Sequence, residues 1–354
     1  FTAINNGTSP IVATIVVTPI FTNAGITCNG PTKSFTITVN PTAQVIQPVS
    51  LVVCNSQPTT VSYGTVNAGG TTVYTWTNSL PAIGLPATGT GNISFNAVNN
   101  GTTPIVATIV VTPTFTNAGV SCSGPAKTYT ITVNPGAQVN QPTSQVVCNG
   151  DATTAISFTT NNTVGATSYT WTNSNPAIGL LGTGTGNIAS FTAINGGSTP
   201  LIGTITVTPQ YANAGLTCNG NQQLFQITVN PTPIVNDPPD LVVCNNSIVG
   251  AVNFTGTGTI YQWTNSTPAI GLGSSGSNNI PSFNAVNPSN TLQEIATISV
   301  TAFYDQAGVS CQGTTQNFTI TVNPTTILND PADQIVCNGL QTSAVNFTGT
   351  GTSY

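Results

Sequence analysis

Phe35-Thr36-Ile37-Thr38-Val39-Asn40-Pro41 is the stretch from which the fold is read. Phe35, Ile37 and Val39 alternate with Thr36 and Thr38, so one face is apolar and the other carries hydroxyls. That period of two marks a half-buried β-strand. Pro41 has no N–H to donate, so the strand stops there. The pattern returns as Tyr129/Ile131/Val133, Phe225/Ile227/Val229 and Phe318/Ile320/Val322, each time closed by Val-Asn-Pro. The four prolines, Pro41, Pro135, Pro231 and Pro324, are spaced 94, 96 and 93 residues apart.

Working outward, other markers keep the same period. Trp-Thr-Asn-Ser begins at Trp76, Trp171 and Trp263, followed by Pro-Ala-Ile-Gly-Leu at Pro81, Pro176 and Pro268. Val-Cys-Asn recurs at Cys54, Cys148, Cys244 and Cys337, and a second cysteine at Cys28, Cys122, Cys218 and Cys311. The repeats are therefore 42–135, 136–231 and 232–324, with partial copies at 1–41 and 325–354. Phe1-Thr-Ala-Ile-Asn matches Phe191-Thr-Ala-Ile-Asn, and Tyr354 aligns with Tyr74, Tyr169 and Tyr261. Both ends thus fall inside a repeat, and the sequence is expected to be a window on a longer array.

A repeat of this length is too long for a helical solenoid unit and suits an independent β-sandwich. Further inward pairs agree: Ile156/Phe158, Val252/Phe254 and Val345/Phe347, then Tyr74/Trp76, Tyr169/Trp171 and Tyr261/Trp263. Residues 13–18 and 107–112 are apolar enough for central strands, Asn-Gly at Asn29, Asn149 and Asn219 marks turns, and no helical periodicity of useful length is present. The expected fold is all-β: tandem Ig-like sandwiches of about seven antiparallel strands in two sheets, arranged as an extended rod. Proline after an extended Asn makes a stiffer joint than a Gly/Ser linker, and each domain is expected to add on the order of 35–40 Å.

Composition excludes several functions. Of 354 residues, two are Lys and none Arg, seven are Asp or Glu, and His and Met are absent, leaving a net charge of −5. Nucleic-acid binding needs many cations to displace phosphate counterions. Without His the usual general base and the usual metal ligand are missing. No apolar run reaches the length of a membrane-spanning helix, so no membrane insertion is expected in this stretch. No catalytic, cofactor or metal residues are assigned. Two Lys also leave little for trypsin-like proteases, and an uncharged Thr-rich surface is insensitive to salt.

The remaining constellations read as structural. Trp76, Trp171 and Trp263 sit at one inward-alternating position, so they are expected in the core rather than in a sugar-stacking row. Gly89-Thr-Gly91 and Gly182-Thr-Gly-Thr-Gly186 lack the helix and Lys of a phosphate loop. Asp237/Asp240 and Asp330/Asp333 share a junction position, but Gln47/Ser50 and Gln141/Ser144 replace them elsewhere, which argues against calcium. Lys33 and Lys127 occupy only two of the repeats, too few for an isopeptide bond in each. The Asn6 and Asn100 sequons are expected by chance in so Asn- and Thr-rich a chain.

Two cysteines per repeat at fixed places point to structural disulfides and an oxidising compartment. Pairing within a repeat would join Cys54–Cys122, Cys148–Cys218 and Cys244–Cys311. In an Ig-like domain, however, the first cysteine lies near the turn joining the first two strands, and the second lies in a hairpin at the opposite end. A disulfide requires Cα atoms within about 7 Å. This topology favours staples between neighbours, Cys54–Cys218 and Cys148–Cys311, and disfavours Cys28–Cys54. The distance from Cys54 to Cys122 against that to Cys218 decides between the two schemes.

Val-Cys-Asn-Gly, Tyr-Thr-Trp-Thr-Asn-Ser-Asn-Pro-Ala-Ile-Gly-Leu, Gly-Thr-Gly-Asn-Ile and Phe-Thr-Ile-Thr-Val-Asn-Pro together resemble the PKD-like and Ig-like repeats of giant secreted surface proteins of Bacteroidota. Such arrays occur in the gliding-motility adhesins of flavobacteria (SprB type), exported by type IX secretion. The resemblance spans the whole chain. It implies an extracellular stalk or filament attached to the outer membrane, which extends a distal binding region and transmits force in gliding or attachment. Implied partners are neighbouring repeats of the same chain, anchoring or motility machinery outside this stretch, and polysaccharide or other filament subunits. PKD domains proper often carry Trp-Asp-Phe-Gly-Asp-Gly; here Trp-Thr-Asn-Ser stands instead, so no acidic cation site is carried over. The competing expectations are a polysaccharide- or self-binding module and a spacer in a secreted enzyme.

Overall fold

The computed structural model describes residues 1–353; Tyr354 and its alignment with Tyr74, Tyr169 and Tyr261 lie outside the described residues. By its contacts the chain forms two compact units. One comprises Phe1–Gln141, Phe158–Trp171 and Val207–Gln223, and the other Pro142–Ser157, Thr172–Thr206 and the residues from Leu224 onward. The sequence repeat 136–231 contributes to both.

Residues 1–41 hold β1 (Ile11–Val17), β2 (Ile20–Asn23), β3 (Ile26–Asn29) and β4 (Lys33–Val39). The next repeat holds β5 (Leu51–Cys54), β6 (Pro58–Val61), β7 (Thr71–Asn78), β8 (Thr88–Thr90), β9 (Ile93–Asn96), β10 (Ile105–Asn117), β11 (Val120–Ser123) and β12 (Lys127–Asn134). After it come β13 (Gln145–Cys148), β14 (Ala166–Asn173), β15 (Thr183–Thr185), β16 (Leu201–Asn213), β17 (Leu216–Asn219) and β18 (Gln223–Asn230). The last set is β19 (Leu241–Cys244), β20 (Ile248–Val249), β21 (Ile260–Asn265), β22 (Ser275–Ser277), β23 (Phe283–Asn284), β24 (Glu294–Gln306) and β25 (Val309–Asn323).

In the first unit, one sheet runs β5-β12-β10-β7-β8, with β11 hairpinned onto β10, and β6-β9 forms the opposing sheet. Order β19-β25-β24-β21-β22, with β20-β23 opposite, repeats the plan in the second unit, and β13-β18-β16-β14-β15 follows the same sequence of strands. This is the Ig-like sandwich. One detail corrects the all-antiparallel expectation: β5 pairs with β12 in parallel, as do β13 with β18 and β19 with β25. The first and last strands of a repeat both lead toward the next junction, so they lie side by side with the same polarity.

The alternating residues fill the space between the sheets. Tyr74 and Trp76 of β7, Ile109 and Val111 of β10, and Tyr129, Ile131 and Val133 of β12 pack with Val61 of β6 and Ile93 of β9. Trp263, Ile298, Val300, Phe318, Ile320 and Val322 form the same core in the second unit. In residues 1–41 the alternation is present without a covering sheet, and Phe35 is 53% exposed.

The recurring Pro-Ala-Ile-Gly-Leu string folds as one 3₁₀ turn, Pro81–Ile83, which drops Ile83 and Leu85 into the core. Proline supplies the φ of its first position. Gly84 then takes φ 91°, and a Cβ there would lie 2.4 Å from Asn96 O. A second glycine requirement comes from the tryptophan. Gly89 on β8 is opposite Trp76, and a Cβ at Gly89 would lie 2.1 Å from Trp76 Cζ2. The Gly-rich stretch is thus an edge strand thinned to admit an indole ring.

Gly89→Ala should therefore destabilise the sandwich of residues 42–135 by about 1–3 kcal/mol, the usual cost of overpacking. In denaturant titrations followed by tryptophan fluorescence, the part of the signal belonging to Trp76 should unfold earlier. An unshifted transition would show that the ring moves aside freely.

Candidate functional site at the repeat junctions

Both disulfides and a set of side-chain hydrogen bonds lie where one sequence repeat meets the next. Cys54, at the end of β5, is bonded to Cys218 of the β16–β17 hairpin, with Cα atoms 5.6 Å apart. Cys148, at the end of β13, is bonded to Cys311 of β25, with Cα atoms 5.5 Å apart. Both bridges join neighbouring repeats, and each lies within one compact unit. The within-repeat scheme is not formed; Cys28, Cys122, Cys244 and Cys337 are free thiols. The closed loops span 164 and 163 residues. In the chain-entropy view, a loop of that size stabilises the folded state by about 5 kcal/mol.

The Asn of Val-Asn-Pro does more than adopt an extended backbone. Asn40 Nδ2 donates to Asn117 O (3.2 Å) and Val120 O (3.3 Å), while Asn117 Nδ2 donates back to Asn40 Oδ1 (2.9 Å). Asn134 Nδ2 donates to Asn213 O (3.2 Å), and Asn213 Nδ2 returns a bond to Asn134 Oδ1 (2.9 Å). Each pair clasps the end of one repeat to the hairpin of the next. The equivalent of Asn117 and Asn213 in the following repeat is Gln306, and there Asn230 is fully buried with neither amide atom hydrogen-bonded to protein. Gln306 is exposed there and carries one methylene more than Asn.

Smaller contacts reinforce the joints. Ala68 N donates to Thr8 O (2.9 Å), and Thr163 N to Thr102 O (3.0 Å). Asn149 Nδ2 donates to Thr232 Oγ1 (3.0 Å), and Asn245 Nδ2 to Thr325 Oγ1 (2.9 Å). Gly136 occupies the position of those threonines next to Asn55, and here a polar cavity of about 380 Å³ opens among Asn55, Asn99, Gln138 and Asn219. Pro41, Pro135 and Pro231 are buried, whereas Pro324 is half-buried.

The remaining residues singled out in the sequence fall into place. Trp76, Trp171 and Trp263 are all buried, so they present no row of rings to a sugar. Among the described residues no three His, Cys, Asp or Glu converge as a metal site, and no helix is long and apolar enough to cross a membrane. Asp240 acts locally. Its Oδ1 accepts from Thr319 N (2.6 Å), which holds its carboxyl below the usual range. Ser50 and Ser144 do the same for Thr130 N (3.1 Å) and Gln226 N (3.0 Å). This position is therefore an oxygen that caps the last strand. The Asn clasp is the functional element that sequence reasoning missed. Its trace there is the co-occurrence of Asn40/Asn117 and Asn134/Asn213 with the repeat period.

No protein-family model and no curated protein matches the sequence. Among solved structures, the chain is loosely similar to mouse cadherin-23 EC22-24, at 12% identity and TM-score 0.36, covering 80% of this chain and 99% of that one. It is likewise similar to Sidekick-1 immunoglobulin domains 1-5, at 12% identity and TM-score 0.30, covering 92% and 78%. The I9-I11 tandem from titin aligns at 11% identity and TM-score 0.27, covering 79% and 98%. TM-scores this low lend no weight to a functional assignment, and the Ig-like fold rests on the strand order above.

Gln306→Asn should complete the third clasp and stabilise the chain by about 1 kcal/mol, the net worth of a hydrogen bond. Asn213→Ala should cost about 1–3 kcal/mol, because Asn134 Oδ1 is left buried without its donor. Equilibrium denaturation of the oxidised chain measures both. Unchanged stability in the two variants would mean that the clasp contributes nothing.

Proposed function

We propose that this chain is a load-bearing section of an extracellular stalk, built to hold a distal region away from its anchor and to transmit tension. The observation that carries the reading is the pair of disulfides between repeats. Structural disulfides persist in oxidising, extracellular surroundings. Their loops, 54–218 and 148–311, overlap over residues 148–218, so most of the middle repeat is enclosed by both. Tension applied along the chain then passes through covalent bonds instead of through the sandwiches alone. The buried proline joints and Asn clasps act in the same direction, by limiting the freedom of one repeat against the next.

Resemblance to PKD-like arrays extends this reading to a giant surface adhesin of Bacteroidota, exported by type IX secretion and attached at the outer membrane, with a role in gliding or surface attachment. In that setting the partners would be an anchor or motility machinery, with polysaccharide or other filament subunits at the distal part. The near absence of charge suits a fibre exposed to changing salt, because there is little for ions to screen. Catalysis has no place in this reading.

Single-molecule pulling on the full chain by its two ends tests it. Overlapping loops keep much of the chain out of the stretched path, so reduction should lengthen the fully extended molecule about twofold at ~3.5 Å per released residue. Bending stiffness should fall at the same time. Equal extension and stiffness before and after reduction would refute a load-bearing role for the staples.

A further inference from the structure

We propose that the junction of repeats 42–135 and 136–231 carries a binding site for a neutral saccharide unit, whose hydroxyls are held by the side-chain amides of Asn55, Gln138 and Asn219. The site is the polar cavity of about 380 Å³ between Asn55 and Asn219. Both repeats that form it are present in full, and its lining belongs to one compact unit. The volume lies within the range of about 300–1,000 Å³ usual for small-molecule sites. The site stands apart from the load-bearing reading, since a section that carried no tension would still have this cavity.

The fold turns one asparagine toward this space. Asn55 Oδ1 accepts from Asn99 N (2.8 Å), so its Nδ2 faces away from Asn99. The same anchor recurs between Asn149 Oδ1 and Asn195 N (2.7 Å), and between Asn245 Oδ1 and Asn287 N (2.8 Å). At those two junctions the Nδ2 is engaged, donating to Thr232 Oγ1 (3.0 Å) and to Thr325 Oγ1 (2.9 Å). Gly136 holds the threonine position beside Asn55, and Asn55 Nδ2 has no partner among the described residues. The lack of a side chain at Gly136 thus opens the space and leaves a donor aimed into it.

Further amides of the same kind complete the lining. Gln138 donates its backbone N–H to Asn162 Oδ1 (2.7 Å), while its side-chain amide is unengaged. Asn219 Oδ1 accepts from Gln210 Nε2 (3.2 Å), which leaves its Nδ2 free. The two following junctions have Ile234 and Ile327 where Gln138 stands, so this polar wall belongs to the one junction. Asn55 and Asn219 each follow a cysteine of the Cys54–Cys218 bond, which ties the two lips of the cavity together. A site held in shape before binding loses less freedom when it is filled.

The chemistry of the lining selects the class of ligand. None of the residues lining the cavity is charged, so an ionised ligand would lose its hydration without a counter-charge. A calcium ion is disfavoured for the same reason, because its sites draw on carboxylates. An apolar ligand would leave the amides unpaired. Side-chain amides both donate and accept, and so does every hydroxyl of a sugar. A neutral polyhydroxyl molecule is therefore the class that satisfies this wall. No aromatic ring lines the cavity, so recognition runs through hydrogen bonds and not through stacking.

The test is a titration of the isotope-labelled full chain with glucose, galactose, mannose and N-acetylglucosamine, read by NMR of the side-chain amides. Expected is a saturable shift of the Asn55 and Gln138 amide signals with at least one of these sugars, at one site per chain. Gly136→Thr supplies the partner seen at Thr232, and a Cβ at Gly136 meets no atom within 4 Å, so this variant keeps the fold. It should weaken binding about tenfold or more. Asn55→Asp keeps the acceptor for Asn99 N and removes the donor, and should weaken binding about fivefold or more. No saturable shift with any of the four sugars would overturn the proposal, as would undiminished binding in Gly136→Thr. Equal shifts with glycerol would overturn it too, by showing adventitious contact with any polyol, and equal shifts with glucuronate would overturn the neutral class. Retention on immobilised dextran or mannan identifies the unit as part of a polymer, and its absence with sugar binding intact identifies a free sugar; both results support the site.

Discussion

The arrangement depends on a distance constraint. A disulfide forms only where two Cα atoms come within about 7 Å, and here they meet at 5.6 and 5.5 Å across the boundaries of sequence repeats. Each bond therefore fixes where the end of one repeat stands against the hairpin of the next. Fixing that point gives the weaker contacts their value. An Asn–Asn pair or a single backbone bond is worth about 1 kcal/mol net, and it contributes most when its partners are already held in place. Where Gln306 breaks the Asn pattern, the Cys148–Cys311 bond is still present, so the joint is kept although the side-chain amide of Asn230 has no hydrogen bond to protein.

Most of the architecture was readable because strand burial has a period of two. Phe, Ile and Val at every second position near Val39, Val133, Val229 and Val322 could serve only one face of a sheet, and the Trp positions repeated the same argument. The parallel pairing of β5 with β12 was not readable, since alternation shows which face is buried and says nothing of a neighbour's direction. Cysteine connectivity stood between two schemes until a strand end could be placed against a hairpin. The role of Asn40 and Asn134 was hidden for a different reason. Asn is common in this chain, and nothing local separates an Asn that ends a strand from one that also reaches a residue 77 or 79 positions away.

Glycine and acid positions show how a local rule can mislead. Gly89-Thr-Gly91 has the look of a ligand loop, yet Gly89 is small because Trp76 occupies the space its side chain would need. Asp240 looks like half of a cation site, yet it does for Thr319 N what Ser50 does for Thr130 N. In both cases the requirement belongs to the sandwich.

The central claim is that covalent bonds join successive repeats. Digestion of the native chain under non-reducing conditions, followed by mass spectrometry of the linked peptides, tests it most directly. The account predicts peptides that join Cys54 to Cys218 and Cys148 to Cys311. Peptides joining Cys54 to Cys122, or Cys148 to Cys218, would contradict it.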